Sequence, residues 1–221
     1  MIEDALAALA QIFTRPFRAT LLKSLALTLG LLVILWFLLD KLVLSFVGFG
    51  PPWLATTIAI LAGLGLFVGL AFLIAPITSL TAGFFLDDIA LIVEQEINPA
   101  GPLGRPVPFM PAMLFGLRYA GLSLVVNVIA LILLLAPGVN IVAFLAANGY
   151  LLGREYFELA AMRYRSFEEA QAMRRHFGLQ VFIAGLVIAC FVAVPVLNLC
   201  APLFATAFMT RLHKRLAGEK G

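Results

Sequence analysis

The sequence is poor in charged residues, histidine and cysteine. Only 12% of its 221 residues are Asp, Glu, Lys or Arg, and it contains two His and two Cys. A soluble domain carries about 25% charged residues. Hydrolytic and metal sites are built from these residue types, so their scarcity argues against an enzyme and predicts neither a metal site nor a cofactor. The sequence also lacks a Gly-x4-Gly-Lys-Ser/Thr loop, which argues against nucleotide-driven pumping.

The basic residues do not form a surface for nucleic acid. The net charge is +3 at pH 7, and the 15 Lys and Arg are spread over the segments between apolar runs. They form no basic stripe with interleaved aromatic residues, which a nucleic-acid surface would need. Charges that flank membrane segments explain them, so no nucleic-acid partner is predicted.

Long hydrophobic runs dominate the rest of the chain. Residues 42–86, 119–153 and 176–210 contain no Asp, Glu, Lys or Arg. Each run is too long for one core helix of a soluble domain. The chain is therefore predicted to be an all-α integral membrane protein, with residues 1–221 forming a single membrane domain in contact with lipid.

The apolar runs and their breaks predict seven segments. Helical spacing of apolar residues before Pro16 indicates a helix that lies at the membrane interface. The second spanning helix is predicted to continue beyond Pro76 as an amphipathic helix that ends in acidic residues. In chain order the segments are an amphipathic helix at 2–14, spanning helices at 20–39 and 53–75, an amphipathic continuation at 77–96, a first hairpin at 112–153, a cytoplasmic helical segment at 154–175 and a second hairpin at 176–210.

Each of the two later runs has a proline near its midpoint. A helix of 35 residues would be about 52 Å long, whereas the hydrocarbon core is about 30 Å thick. Each run is therefore predicted to be a hemi-penetrating hairpin of two helical arms. The hairpin tips are Pro137, Gly138 and Pro195.

An asparagine follows each of these prolines by three residues. A proline at the start of the outgoing arm leaves the free N–H groups of that half-helix directed at the membrane interior. Two such helix ends, together with the side-chain amides of Asn140 and Asn198, are typical of an anion site in a transporter. The alternative is that Pro-x-x-Asn only caps or kinks a helix.

Four charged residues are candidates for a pore or vestibule. Arg118 starts the first hairpin arm, and it is either a snorkelling interface residue or part of a mouth that concentrates anions. Arg154 and Glu158 are four residues apart, with Glu155 beside them. In a vestibule these carboxylates would hold the arginine side chains in place and partly neutralise their positive charge. The alternative is a set of ion pairs along a solvated helix face.

Five stretches carry a family pattern: Pro16-Phe-Arg18, Ala75-Pro-Ile-Thr-Ser-Leu-Thr-Ala-Gly-Phe-Phe-Leu86, Leu135-Ala-Pro-Gly-Val-Asn140, Arg154-Glu-Tyr-Phe-Glu158 and Val194-Pro-Val-Leu-Asn-Leu-Cys-Ala-Pro202. Together they resemble the CysZ family of bacterial sulfate permeases and their eukaryotic etoposide-induced relatives. The resemblance implies two long spanning helices, hemi-penetrating helix pairs and a homo-oligomer. It also implies sulfate binding at Phe17 and Arg18, which stand at the position of the family's Gly-Leu/Ile-Arg-type motif before the first span, with Pro16 in place of the glycine.

The apolar runs predict a multi-pass membrane protein. The family resemblance implies a channel-like sulfate permease of the bacterial inner (cytoplasmic) membrane that imports sulfate for cysteine biosynthesis. Two alternatives remain. One is a permease for another oxyanion, such as sulfite or thiosulfate. The other is a non-transporting membrane scaffold or lipid-organising protein, which the amphipathic segments at 2–14 and 77–96 would suit.

Overall fold

The computed structural model describes residues 1–47, 56–57, 60–61, 63–65, 85–108, 110–111, 114–115, 118, 121–122, 125–126 and 140–218. Within these residues the regular structure is entirely helical, so the all-α prediction is confirmed there. The helices are α1 (Ile2–Ile12), α2 (Arg15–Val47), α3 (Leu86–Ile97), α4 (Asn140–Met162), α5 (Phe167–His176), α6 (Gly178–Val192), α7 (Pro195–Asn198) and α8 (Ala201–Leu216).

The chain divides into two compact units. The first contains Met1–Arg18 and Leu86–Gly221, and the second contains Ala19–Phe85. The described part of the second unit is α2 from Ala19 onward, the helical residues 56–57, 60–61 and 63–65, and Phe85. Most of the spanning helix predicted at 53–75 therefore lies outside the described residues.

Helix α2 is long, apolar and largely exposed. Its stretch Arg15–Lys41 has the length and composition needed to cross a membrane. Leu22, Phe37 and Leu38 are each at least 60% exposed. A core helix of a soluble protein would bury such side chains, whereas an exposed apolar surface of this length is typical of a helix in contact with lipid.

Helix α2 also extends beyond the predicted bounds of 20–39. Pro16 lies in its first turn, where the missing N–H leaves no hydrogen bond unmade, so the proline separates α1 from α2 without delaying α2. At the other end the helix continues through Asp40 and Lys41 to Val47. A charged pair alone does not stop a helix, and neither residue is a strong helix breaker.

Helix α8 forms the core of the first unit. All of its residues from Ala201 to Thr210 are buried, and α1, α3, α4 and α6 pack against it. Two ion pairs join the C-terminal half of α8 to neighbouring helices. Arg211 Nη2 lies 2.7 Å from Glu96 Oε1 on α3, and Arg215 Nη1 lies 2.7 Å from Asp4 Oδ2 on α1. The amphipathic helices α1 and α3 are thereby tied to α8.

Helix α4 crosses the predicted boundary between the first hairpin and the cytoplasmic segment. It runs for 23 residues without a break at Arg154, a length of about 34 Å. Arg154 and Glu158 pair along one face of the helix, so the change from apolar to charged sequence needs no change in backbone structure. The tip residues Pro137 and Gly138 of the predicted first hairpin lie outside the described residues.

The chain reverses between α6 and α8. Phe191 near the end of α6 stacks on Phe204 in α8, with 4.3 Å between the ring centroids. Between them, Pro195 begins the single turn α7 and Asn198 ends it. Helices α6 and α8 lie where the two arms within 176–210 are predicted, but the outgoing helix α8 begins at Ala201 rather than at Pro195 and continues to Leu216. That these helices form a hemi-penetrating hairpin stays a prediction.

Candidate functional site

Arg163, directly after α4, belongs to a charge cluster in which every group is paired. Its Nε donates to Glu94 Oε1 at 2.8 Å and its Nη2 donates to Glu94 Oε2 at 3.2 Å. Its Nη1 donates to Asp87, and the Gly104 N–H donates to Glu94 Oε2 at 2.9 Å. Because each guanidinium nitrogen and both Glu94 oxygens have partners, this Arg163–Glu94 clamp has little to offer a ligand.

The clamp residues are ionised at neutral pH. Burial on its own would raise the pKa of Glu94, but the hydrogen bonds from Arg163 and the Gly104 N–H lower that pKa below its ordinary value. Burial on its own would lower the pKa of Arg163, but Glu94 and Asp87 raise it. The clamp is therefore a structural tie between α3, Gly104 and the end of α4.

Apart from the clamp, two arginines line a pocket. Arg154 from α4 and Arg174 from α5 meet at a cavity of about 110 Å³. We call this cavity the arginine pocket. Its other described walls are Tyr150 from α4 and Gly178, Val181 and Phe182 from α6.

Glu158 holds the two arginines together. Its side chain is fully buried. Its Oε1 accepts a hydrogen bond from Arg174 Nε at 2.6 Å and lies 3.3 Å from Arg154 Nε. Two positive charges and one negative charge leave this trio with a net charge of +1.

The outer edges of both guanidiniums have no partner among the residues that the structure describes. No described residue accepts a hydrogen bond from the Nη atoms of Arg154 or Arg174. The two side chains are only 20% and 14% exposed, so they differ from ordinary solvated surface arginines. A guanidinium edge donates in a planar fork that fits two oxygens of an oxyanion. The arginine pocket can therefore bind an oxyanion through two such forks.

The start of α6 adds to the positive field of the pocket. Helix α6 begins at Gly178, a wall residue, and no side chain caps its first turn. The N-terminal end of a helix carries about half of a positive charge, which favours an anion nearby.

Three glycines bring the two helices of the pocket together. A Cβ atom on Gly185 would lie 1.9 Å from the Gly149 carbonyl oxygen and 2.8 Å from Gly153 Cα. A Cβ atom on Gly153 would lie 2.6 Å from the Val181 carbonyl oxygen. Only hydrogen fits at these positions, so the backbones of α4 and α6 are in contact. This contact holds Arg154, next to Gly153, against the α6 wall.

Helix α5 carries Arg174 at its C-terminal end. A capping box starts the helix, in which Glu169 N–H donates to Ser166 Oγ at 3.3 Å and Ser166 N–H donates to Glu169 Oε2 at 2.9 Å. The basic last turn contains Arg174 and suits the negative end of the helix dipole. Helices α5 and α6 meet at an angle of 91°, and this bend places Arg174 beside Arg154.

The family relationship of the chain follows from a comparison with protein families. Residues 4–202 match the family described as sulfate transporter CysZ/etoposide-induced protein 2.4. The chain belongs to the CysZ/etoposide-induced protein 2.4 family. No curated protein matches the chain with significant similarity. The family resemblance deduced from the motifs is thus confirmed, and the matched region of this CysZ-family chain contains the whole arginine pocket.

The structure separates the four predicted vestibule residues of this CysZ-family chain. Arg154 and Glu158 form the arginine pocket trio with Arg174, whereas Glu155 is not among the described wall residues. Arg118 lines another cavity, of about 220 Å³. Its guanidinium lies over the Phe167 ring, 5.1 Å from the centroid. The other described walls of that cavity are Pro111, Leu114, Phe115, Met162 and Glu168.

None of the predicted substrate-binding residues is a described wall residue of the arginine pocket. Phe17 is fully buried and Arg18 next to it is exposed. Asn198 is exposed at the end of α7. Asn140 is the first residue of α4, and its side chain lies outside the described part. A role for these four residues in substrate binding stays a prediction.

Arg174 is the site residue that the sequence did not reveal. It lies 16 residues after Glu158, and no helical or strand periodicity connects the two positions. Ser166 followed by Glu169 does signal the start of a helix, and the run Arg174, Arg175, His176 signals its basic end. The contact of Arg174 with Glu158 nevertheless depends on the packing of α5 against α4, for which the sequence carries no comparable signal.

Proposed function

We propose that this CysZ-family protein is a sulfate permease of the bacterial inner membrane, and that the arginine pocket binds the oxyanion. The proposal rests on the pair of largely buried guanidiniums, whose Nη atoms have no partner within the described part of the chain. Arginine forks suit sulfate oxygens, and the family description names a sulfate transporter. The sulfate imported in this way would supply cysteine biosynthesis.

The position of the pocket along the sequence supports a site at the membrane surface. Arg154 directly follows the charge-free run 119–153, and Gly178 lies near the start of the run 176–210. The bases of both proposed hairpins therefore meet at the pocket. Positive charge at such a mouth raises the local concentration of anions ahead of the apolar interior.

Beyond this mouth, the path would use neutral donors. The amides of Asn140 and Asn198 and the N-terminal end of α4 would supply dipoles at the proposed hairpin tips. Several dipoles replace the hydration of an anion without trapping it, which suits permeation. In this proposal Phe17 and Arg18 form a further contact for sulfate, before the first span.

The proposal includes a homo-oligomer embedded in lipid. Leu179, Ile183 and Val187 are four residues apart on α6 and are 72%, 37% and 38% exposed. A row with this spacing lies on one face of the helix. In a membrane this face would contact either acyl chains or a second copy of the chain.

A membrane scaffold or lipid-organising protein is the second candidate function, and α1 favours it. One side of α1 is buried, at Ala8, Gln11 and Ile12. The apolar side chains of Ile2, in α1, and Phe13, directly after α1, are 77% and 73% exposed. An amphipathic helix with such an exposed apolar side is suited to the headgroup region of a bilayer. Lipid organisation would need this surface and would not need the arginine pocket.

Uptake of radiolabelled sulfate into proteoliposomes distinguishes the two functions. We expect saturable uptake into vesicles that contain the purified protein, beside no uptake into empty vesicles. Sulfite and thiosulfate are expected to compete because they present similar oxygens to the arginine forks, whereas chloride is not. An absence of uptake by folded, incorporated protein would overturn the permease proposal and favour the scaffold. Stronger competition by another oxyanion would reassign the substrate.

A further inference from the structure

Glu158 is unusual because it is a fully buried carboxylate that uses only one of its oxygens. Its Oε1 serves both Arg154 and Arg174. Its Oε2 is buried and has no hydrogen-bond partner among the described residues. The Arg163–Glu94 clamp of the same unit, by contrast, occupies both oxygens of its carboxylate. Glu158 is thus only partly satisfied, which is costly for a buried charge.

We propose that Glu158 is a fixed counter-ion of the arginine pocket, which orients the two guanidiniums and limits how tightly the pocket holds an oxyanion. This inference rests on the proposed function, because it assumes that the pocket binds the anion. Glu158 is not a described wall residue, so it acts through the arginines. It is a positioning residue that sets the balance between binding and release.

The orienting role follows from the atoms involved. Both arginines approach Glu158 through Nε. When Nε is occupied, the planar guanidinium can rotate little, and the Nη atoms remain available to a second anion. Glu158 therefore fixes the direction of two donor forks while leaving both unused.

The limiting role follows from charge. With Glu158 ionised, the trio carries a net charge of +1, whereas without that charge it would carry +2. Attraction of a dianion grows with this net charge and is strong at a site that excludes most water. A permeant ion has to leave as well as bind. A carboxylate behind the arginines weakens retention without removing either donor fork.

The test is calorimetric titration of sulfate into the purified full-length protein, combined with its maximal uptake rate in proteoliposomes. Glu158→Gln keeps the shape and an acceptor oxygen but removes the charge. We expect its Kd for sulfate to fall on the order of tenfold and its maximal uptake rate to fall as well. Glu158→Ala also removes the acceptor, so it is expected to bind sulfate less tightly than Glu158→Gln.

Two further variants separate charge from structure. Glu158→Asp keeps the charge, and its Kd is expected to stay within about threefold of the wild-type value. Asp88→Asn removes an exposed carboxylate on α3 and is expected to leave both Kd and uptake rate unchanged. A structural role alone would not produce tighter binding together with slower uptake.

The outcomes separate the inference from the proposed function. If wild-type protein binds sulfate but Glu158→Gln binds it equally or more weakly, the counter-ion role is overturned and the permease proposal stands. If Glu158→Gln does not fold, the Kd of Glu158→Asp is the test of the counter-ion role. Tenfold tighter binding of sulfate by Glu158→Asp, which keeps the charge, would contradict that role. If the wild-type protein neither binds nor transports sulfate, both proposals fail. If it binds with the expected variant pattern but does not transport, only the permease proposal fails.

Discussion

The Gly185→Ala variant is expected to lose most of the packing between α4 and α6. The added Cβ atom would lie 1.9 Å from the Gly149 carbonyl oxygen and 2.8 Å from Gly153 Cα. Both neighbours are backbone atoms, so the two helices would have to separate. Overpacking of a core typically costs about 1–3 kcal/mol, and we expect a cost of about 3 kcal/mol or more because a whole helix pair must move.

Thermal unfolding of the purified protein in detergent, followed by circular dichroism, measures this effect. Gly30→Ala is the matched control, because it makes the same change in a helical glycine at which an added Cβ would meet no atom of another described element within 4 Å. The control is expected to unfold at or slightly above the wild-type temperature, since alanine favours a helix. An unchanged unfolding temperature for Gly185→Ala would show that α4 and α6 do not pack through these glycines.

The Glu94→Gln variant is expected to destabilise the first unit by about 3–5 kcal/mol, because it leaves the Arg163 charge buried without its main partner. Glu96→Gln is the control on the same helix. Its carboxylate is 54% exposed and pairs with Arg211, so its loss is expected to cost about 1 kcal/mol or less. Denaturant unfolding at neutral pH measures both changes. Equal effects of the two variants would contradict the description of the clamp.

Acidification provides an independent check of the clamp. The pKa of Glu94 is lowered in the folded protein from its ordinary value of 4.5. Its contribution is therefore fully present above about pH 4.5 and is lost as the pH falls through the lowered folded-state value. The stability difference between wild type and Glu94→Gln is expected to shrink below that pH. A difference that stays constant at acidic pH would exclude an ionised Glu94 as its cause.

The sequence predicts the parts of the fold that depend on local signals. Pro16 separates α1 from α2, Pro195 lies where the chain reverses, and Arg154 pairs with Glu158 at helical spacing. In each case a residue type acts on its immediate neighbours. These features need no knowledge of tertiary contacts, so the sequence alone is sufficient to predict them.

Features that depend on tertiary contacts were missed or misplaced. The change from apolar to charged sequence predicts a segment boundary at Arg154, whereas backbone hydrogen bonds continue through it in α4. The close backbone contact in the described residues involves Gly149 and Gly153 on α4 and Gly185 on α6. A glycine pair on one helix does not show which partner helix it meets.

Only the part of the arginine pocket that lies on one helix can be predicted from the sequence. Arg154 and Glu158 share a helix, and their pairing follows from spacing. Arg174 reaches Glu158 from another helix, α5, and in the sequence it is only one of several basic residues between the two apolar runs. The difference between a paired and an unpaired guanidinium edge becomes visible only from the hydrogen bonds of the folded chain.

Sulfate binding to a double arginine variant tests the central claim most directly. Calorimetric titration would compare wild type, Arg154→Gln with Arg174→Gln, and Arg175→Gln, which removes one charge from an exposed neighbour. A hydrogen bond to a charged group contributes about 1.5–3 kcal/mol, so losing both forks is expected to weaken binding about a hundredfold or more. The Arg175→Gln control is expected to retain a nearly wild-type Kd. Wild-type affinity in the folded double variant would contradict the assignment of the arginine pocket as the oxyanion site.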